Sequence, residues 1–133
     1  MWSSEDLDAA ERRIDDWQAG IERRAAQAVA LSGRIADISA TARSDDGSVE
    51  VTVASSGVVT ELRLSEAIRN RAASETSRQI MAVIGQAQAA LTSKVVQATE
   101  ETVGLADPAG QAIVDSYTKR SAQWRESGSD AGR

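Results

Sequence analysis

Adjacent carboxylates at Asp15-Asp16, Asp45-Asp46 and Glu100-Glu101 are residues whose type would suit acid–base or metal chemistry. Two carboxylates that share a site can split one proton between them. The spacing argues against that use. Neighbours on a helix point about 100° apart, so the first and third pairs diverge. Asp45-Asp46 runs into Gly47, a turn signal, and aspartate in a turn serves backbone hydrogen bonds. The 133 residues contain no Cys and no His. That removes thiolate and imidazole metal ligands, a Cys nucleophile and the Ser-His-Asp triad. Gly47, Gly57 and Gly104 stand alone and build no phosphate-cradling loop. The expectation is a protein with no catalytic residues, no metal and no cofactor.

The remaining chemistry is that of cations. Thirteen Arg and two Lys face 20 acids, for a net charge of −5, and net acidity opposes long-range attraction to nucleic acid. The charges are zoned. Residues 1–20 carry six acids and two Arg. Residues 21–43 carry Arg23, Arg24, Arg34 and Arg43 against Glu22 and Asp37. Residues 44–62 carry four acids and no base. Residues 63–94 carry Arg63, Arg69, Arg71, Arg78 and Lys94 against Glu66 and Glu75. Two basic zones thus alternate with acidic ones. They either pair with neighbouring acids on solvated faces or face together as a phosphate-binding patch.

The elements that must position these zones can be read from hydrophobic period. Leu7, Ala10, Ile14, Trp17, Ile21, Arg24, Ala28, Leu31 and Ile35 follow a 3-4 spacing, a heptad seam with Arg24 as its one misfit. Ser3 or Ser4 caps this helix, with Glu5, Asp6 and Asp8 in its first turns, and Gly33 marks a candidate end. About 30 residues give roughly 45 Å, so the helix must protrude or pair with another long helix. The period then becomes two. Ile38, Ala40 and Ala42, then Val49, Val51 and Val53, then Val58, Thr60, Leu62 and Leu64 alternate with polar neighbours, separated by turns at Asp45-Asp46-Gly47 and Ser55-Ser56-Gly57. This predicts a three-stranded antiparallel meander over about 36–64. A short link over 65–73 leads to a second long helix. Its predicted cap is Ser74, its apolar stripe is Ile80, Ile84, Ala87, Leu91, Val95 and Ala98, and it ends at Gly104. Asp107-Pro108 starts a last helix with Ile113, Val114, Tyr117 and Trp124 on one side. A frayed tail follows from Ser127.

The order helix, three strands, helix, helix is α+β. The predicted domain spans 1–105, with a helical extension over 106–126 and a tail over 127–133. A thin sheet leaves open edges, and a homodimer is the economical way to cover them. The expected interface residues are Val49, Val51, Val53, Leu62 and Leu64. No apolar run nears the roughly 18 residues of a membrane span. Met1 to Asp6 has no basic n-region followed by an apolar h-region. A cytoplasmic protein is expected, with no membrane partner.

The stretch from Gly47 to Leu64, GSVEVTVASSGVVTELRL, resembles the core of the YbaB/EbfC family of nucleoid-associated proteins. There a Gly opens an alternating Val strand, and a second Gly precedes a strand ending in a Leu-x-Leu-like pair. The flanking long helices match as well, over roughly residues 5–100. The resemblance implies a tweezer-like homodimer whose sheets join and whose helices project. It implies DNA binding through basic residues on those helices, without catalysis or cofactor. Carried to this sequence, the phosphate contacts would be Arg23, Arg24, Arg34, Arg69, Arg71, Arg78 and Lys94, with the nucleoid as location. No aromatic is interleaved for base stacking. The sequence departs from the family at Ser65-Glu66, at Glu50 and Thr52 in the second strand, and in its acidity and appended helix. Actinobacterial relatives of this type often accompany type VII secretion loci. The alternative expectation is therefore a protein–protein adaptor or secretion-associated factor, working through helix one or the C-terminal helix.

Overall fold

The computed structural model describes residues 3–131, with side chains described through Arg125. Met1 and Trp2, and the last two residues of the predicted tail, lie outside the described residues. Helix α1 is Ser4–Ala36. Strands β1 (Ser39–Arg43), β2 (Val49–Ala54) and β3 (Val59–Leu64) follow. A one-turn 3-10 helix over Glu66–Asn70 leads to α2, Ala73–Thr102, and to α3, Pro108–Ala131. The α+β order expected from the sequence is the order observed. No helix among the described residues is long and apolar enough to cross a membrane.

Helix α1 opens with a capping box. The Ser3 hydroxyl accepts from the Asp6 backbone N–H, and the Asp6 carboxylate accepts from the Ser3 N–H. Gly33 does not end the helix, which runs on to Ala36 and closes at Asp37. Glycine costs a helix interior under about 1 kcal/mol relative to Ala, too little to stop a helix whose next turn buries Ile35. Helix α2 is not capped by Ser74. Its N-cap is Ala72, with no side-chain bond; the serine cap in this stretch is Ser65, on the preceding 3-10 turn through the Ala67 N–H. Asp107 does cap α3, accepting from Gly110 N–H at 3.0 Å, with Pro108 first in the helix. Helix α3 continues to Ala131, past the point where the sequence suggests fraying.

The sheet is the expected meander, order β1-β2-β3, antiparallel throughout. Ala42 pairs Val51, Val51 pairs Leu62 and Val49 pairs Leu64. The register shifts between Thr52 and Val53, so that Val53 pairs Val59 and Thr60 is the extra residue. Paired residues share a face, so Val59, Leu62 and Leu64 join Val49, Val51 and Val53 on the side facing α2.

Helix α2 covers β1 and β2. Val83, Ala87, Leu91 and Val95 recur every four residues and close on Ala40, Val49, Val51 and Val53. This small aliphatic layer is the core. Helix α3 packs on another face of α2, with Gly85 and Gly110 at the close approaches. A Cβ at Gly85 would sit 3.0 Å from the Trp124 indole, and one at Gly110 2.8 Å from Thr99 Cγ2. Helix α3 also grips the β2–β3 turn. Tyr117 Oη donates to Ser55 O at 2.7 Å, and Arg120, stacked 4.4 Å over the Tyr117 ring, donates to Ser56 O at 3.1 Å. Helix α1 contributes only Leu31 and Ile35 to the core and projects beyond it.

Candidate nucleic-acid interface

The seven predicted phosphate-contact residues fall in three groups. Arg23 and Arg24 lie on the exposed outer part of α1 and pair with no acid among the described residues. Arg34, Arg69 and Arg71 are each already engaged. Arg34 donates to Glu101 and, at 3.2 Å, to Thr102 Oγ1 at the far end of α2. Arg69 pairs Glu66 within the 3-10 turn at 2.7 Å. Arg71 donates to Asp46, to Ser48 Oγ at 2.8 Å and to Gln79 Oε1 at 2.7 Å. Arg78 and Lys94 form the third group. Among the described residues they bond only carbonyl oxygens, Ser74 O at 3.4 Å and Ser39 O at 2.7 Å, and no acid pairs with their charge.

Two of the carboxylates in these contacts, Asp46 and Glu101, lie below their ordinary values. Asp46 is far below the ordinary aspartate value. Its Oδ1 accepts from the Ser48 hydroxyl at 2.7 Å, the Ser48 backbone N–H at 3.0 Å and the Ser44 hydroxyl at 2.8 Å, with Arg71 on the other oxygen. Glu101 is lowered by hydrogen bonds from Arg34 and Gln97. Arg63, off the predicted set, is raised by Glu61, with Glu50 adding to it. Asp46 is thus an anchor for the β1–β2 turn and for the start of α2.

Within one chain the two basic zones meet only at Lys94, which bonds Ser39 O just past the end of α1; Arg71 and Arg34 stay far apart. Arg71 bonds Gln79 near the start of α2 and Arg34 bonds Glu101 near its end. The 22 residues between Gln79 and Glu101 span about 33 Å at 1.5 Å per residue. Arg23 and Arg24 lie farther out still, because α1 runs past the end of α2: Arg24 and Ala28 face Asp107 and Pro108 across a cleft.

Of the five expected interface residues, Val49, Val51 and Val53 are sealed under α2 in the single chain. Leu62 and Leu64 are 45% and 41% exposed, because α2 lies over β1 and β2 and leaves the edge strand uncovered. Every position of β3 is exposed. The three carboxylate pairs form no cation site; no group of three Asp, Glu, His or Cys among the described residues could hold a metal. No buried side-chain nitrogen or oxygen among the described residues lacks a hydrogen-bond partner.

Sequence reasoning missed the Asp46–Ser48–Arg71 network. Its signal was local: Ser44-Asp-Asp-Gly-Ser48 places two hydroxyls and a carboxylate in one turn, the composition of an Asx-type turn.

The family model described as YbaB/EbfC DNA-binding family matches residues 11–105. The match takes in α1 from its second turn, the whole sheet and α2, and stops before α3. Neither the curated proteins nor the solved structures compared with the chain give a match.

Proposed function

Since this chain belongs to the YbaB/EbfC DNA-binding family, whose members are nucleoid-associated, we propose that it is a non-enzymatic homodimer that binds duplex DNA in the cytoplasmic nucleoid. It contacts phosphates and does not read bases. Arg23, Arg24, Arg78 and Lys94 carry the contacts, because none of them is held in an ion pair among the described residues. Arg34, Arg69 and Arg71 contribute less, since each must first leave a carboxylate. The dimer forms through the β3 edge, where Leu62 and Leu64 offer an apolar strip beside unpaired backbone. The observation that carries the dimer is that exposed strip on the core face of the sheet.

The test is retardation of duplex DNA over a salt series. Each phosphate contact steepens the fall of log affinity with log salt by about 0.9. Replacing Arg23, Arg24, Arg78 and Lys94 with Ala lowers affinity equally on unrelated sequences and flattens the slope. Wild-type protein that leaves DNA unretarded at low salt would overturn the proposal and leave the adaptor reading, which the exposed apolar residues of α1 favour.

A further inference from the structure

The outer part of α1 carries an apolar seam that nothing among the described residues covers. Leu7, Ile14, Trp17 and Ile21 are 53%, 59%, 69% and 46% exposed, and with Ala10 and Ala28 they recur at heptad spacing. Scattered exposed apolar residues need no explanation. Four large ones on a single seam, on a helix about 50 Å long that buries only its last turns, do. A heptad seam fits another helix, because side chains every 3.5 residues interdigitate with a partner of the same period.

We propose that the occupant is α1 of a second copy, running antiparallel, with the two-fold axis near Ala19. Charge decides the direction. Residues 4–18 hold six acids against Arg12 and Arg13, and residues 20–34 hold Arg23, Arg24 and Arg34 against Glu22. A parallel pair would set two acidic halves side by side. An antiparallel pair sets each acidic half on a basic one.

Pairing the first core position of one heptad with the second of the other allows axes about 3.5 residues apart, and the one near Ala19 is chosen because it lays the whole acidic half on the whole basic half. With the axis at Ala19, Trp17 meets Ile21, Ala10 meets Ala28 and Ile14 meets Arg24. Three features then acquire a cause. Arg24, the misfit, lies opposite a helix surface where Glu11 and Asp15 flank Ile14, so in the paired form it is held by the seam, and of the two neighbours only Arg23, off the seam, stays free for phosphate. A charge in a seam fixes register at a cost in stability. Gly20, which weakens the helix, leaves open space where a Cβ would stand, next to Ile21 and so beside the incoming indole of Trp17. Finally, the same register brings Leu7 of the second copy to the level of Leu31, which its own chain already buries. There the structure has a cleft of about 420 Å³, walled by Ala28 and Leu31 on one side and by Val103, Pro108 and Ile113 on the other.

This contact is separate from the β3 edge. A chain that uses both two-fold contacts builds strings of molecules, because each contact closes only a pair.

The chain has no Cys, so single cysteines report on the contact directly. Gln18→Cys lies beside its own copy across the axis and should cross-link with a short bismaleimide in the full-length protein. Glu11→Cys, at the same heptad position, lies about 24 Å from its copy at 1.5 Å per residue and should not. Adding Ile14→Glu and Trp17→Glu should abolish the Gln18→Cys cross-link, with circular dichroism confirming that the fold survives on α2 and the sheet. Adding Leu62→Asp should leave it in place, which separates this contact from the sheet dimer. No cross-link at Gln18→Cys, an equal one at Glu11→Cys, or one that persists in the acidic double variant would each overturn the proposal.

Discussion

Arg71 reaches from the start of α2 to Asp46 in the β1–β2 turn, and Ser48 sits between them, donating to Asp46 and accepting from Arg71. The ion pair therefore does two jobs at one end of the sheet. It closes the turn after β1, and it fixes where α2 begins, because the same guanidinium holds Gln79. A cation committed this way is a poor phosphate ligand.

Arg71→Ala is expected to cost stability of order 1–2 kcal/mol, the range for bonds from a charged donor to neutral acceptors discounted for partial exposure. Its effect on DNA affinity should be smaller than that of Arg23→Ala with Arg24→Ala. Urea denaturation and retardation on the same samples compare the two. A large loss of affinity with unchanged stability would contradict the assignment.

Acid should destabilise the fold. Asp46 and Glu101 both have depressed values, against ordinary values of 3.8 and 4.5. For a depressed carboxylate the unfolded chain binds protons first. The contribution of each is therefore complete above its ordinary value and is lost as pH falls below it. The thermal midpoint is expected to be flat from about pH 6 to 8 and to fall below about pH 4. Asp46→Asn should lower the plateau and shallow the acid limb. A midpoint that drops between pH 8 and 6 would point to groups other than these.

The first two strands, the turns and the two stripes of α1 and α2 were legible because each rests on periodicity and on glycines that take positive φ, as Gly47 and Gly57 do at 74° and 87°. The start of the third strand was not, because the bulge at Thr60 puts Val59, and not Val58 or Thr60, on the core face. What could not be read was which apolar residues end up covered. Val51 and Leu62 have the same pattern in sequence and are paired neighbours in the sheet, yet α2 covers one and not the other. Coverage depends on where a helix lies over the sheet, which alternation does not encode. Arginine partners were illegible for a related reason. Arg34 and Glu101 are 67 residues apart in sequence, so net charge by segment treats as free a cation that the fold has spent.

Two glycine substitutions should have opposite signs. At Gly33 nothing lies within 4 Å of a new Cβ, and the residue is inside α1, so Gly33→Ala should stabilise by about 0.5–1 kcal/mol. At Gly110 a Cβ would stand 2.8 Å from Thr99 Cγ2 and 3.0 Å from Val103 Cγ2. Thr99 is fully buried, so Gly110→Ala should destabilise by about 1–3 kcal/mol. Differential scanning calorimetry of both variants checks the α2–α3 packing, since equal effects would mean that α3 stands off from α2.

Leu62→Asp and Val51→Asp should separate assembly from folding. Leu62 is at the open edge, so its replacement should leave a folded chain that has lost the sheet contact. Val51 is sealed under α2, and a buried unpaired carboxylate should unfold the chain. Light scattering with circular dichroism distinguishes the outcomes. A Leu62→Asp protein with unchanged mass would remove β3 as an interface.

The separation of the basic ends makes DNA binding depend on duplex length. One end of α2 holds Arg78 and the other meets Arg34, with Arg23 and Arg24 beyond it. These ends are at least about 33 Å apart along the helix, close to the roughly 34–36 Å of one turn of B-form DNA. A duplex much shorter than a turn can engage one end only. Affinity per site should therefore rise sharply as duplexes lengthen from about 8 to about 16 base pairs, and then grow only with the number of sites, for any sequence. The rise should vanish when Arg78 alone is replaced by Ala, because the short-range contacts at the other end remain and the second anchor is gone. Equal affinity for 8-base-pair and longer duplexes in the wild type would mean that a single basic end makes all the contacts.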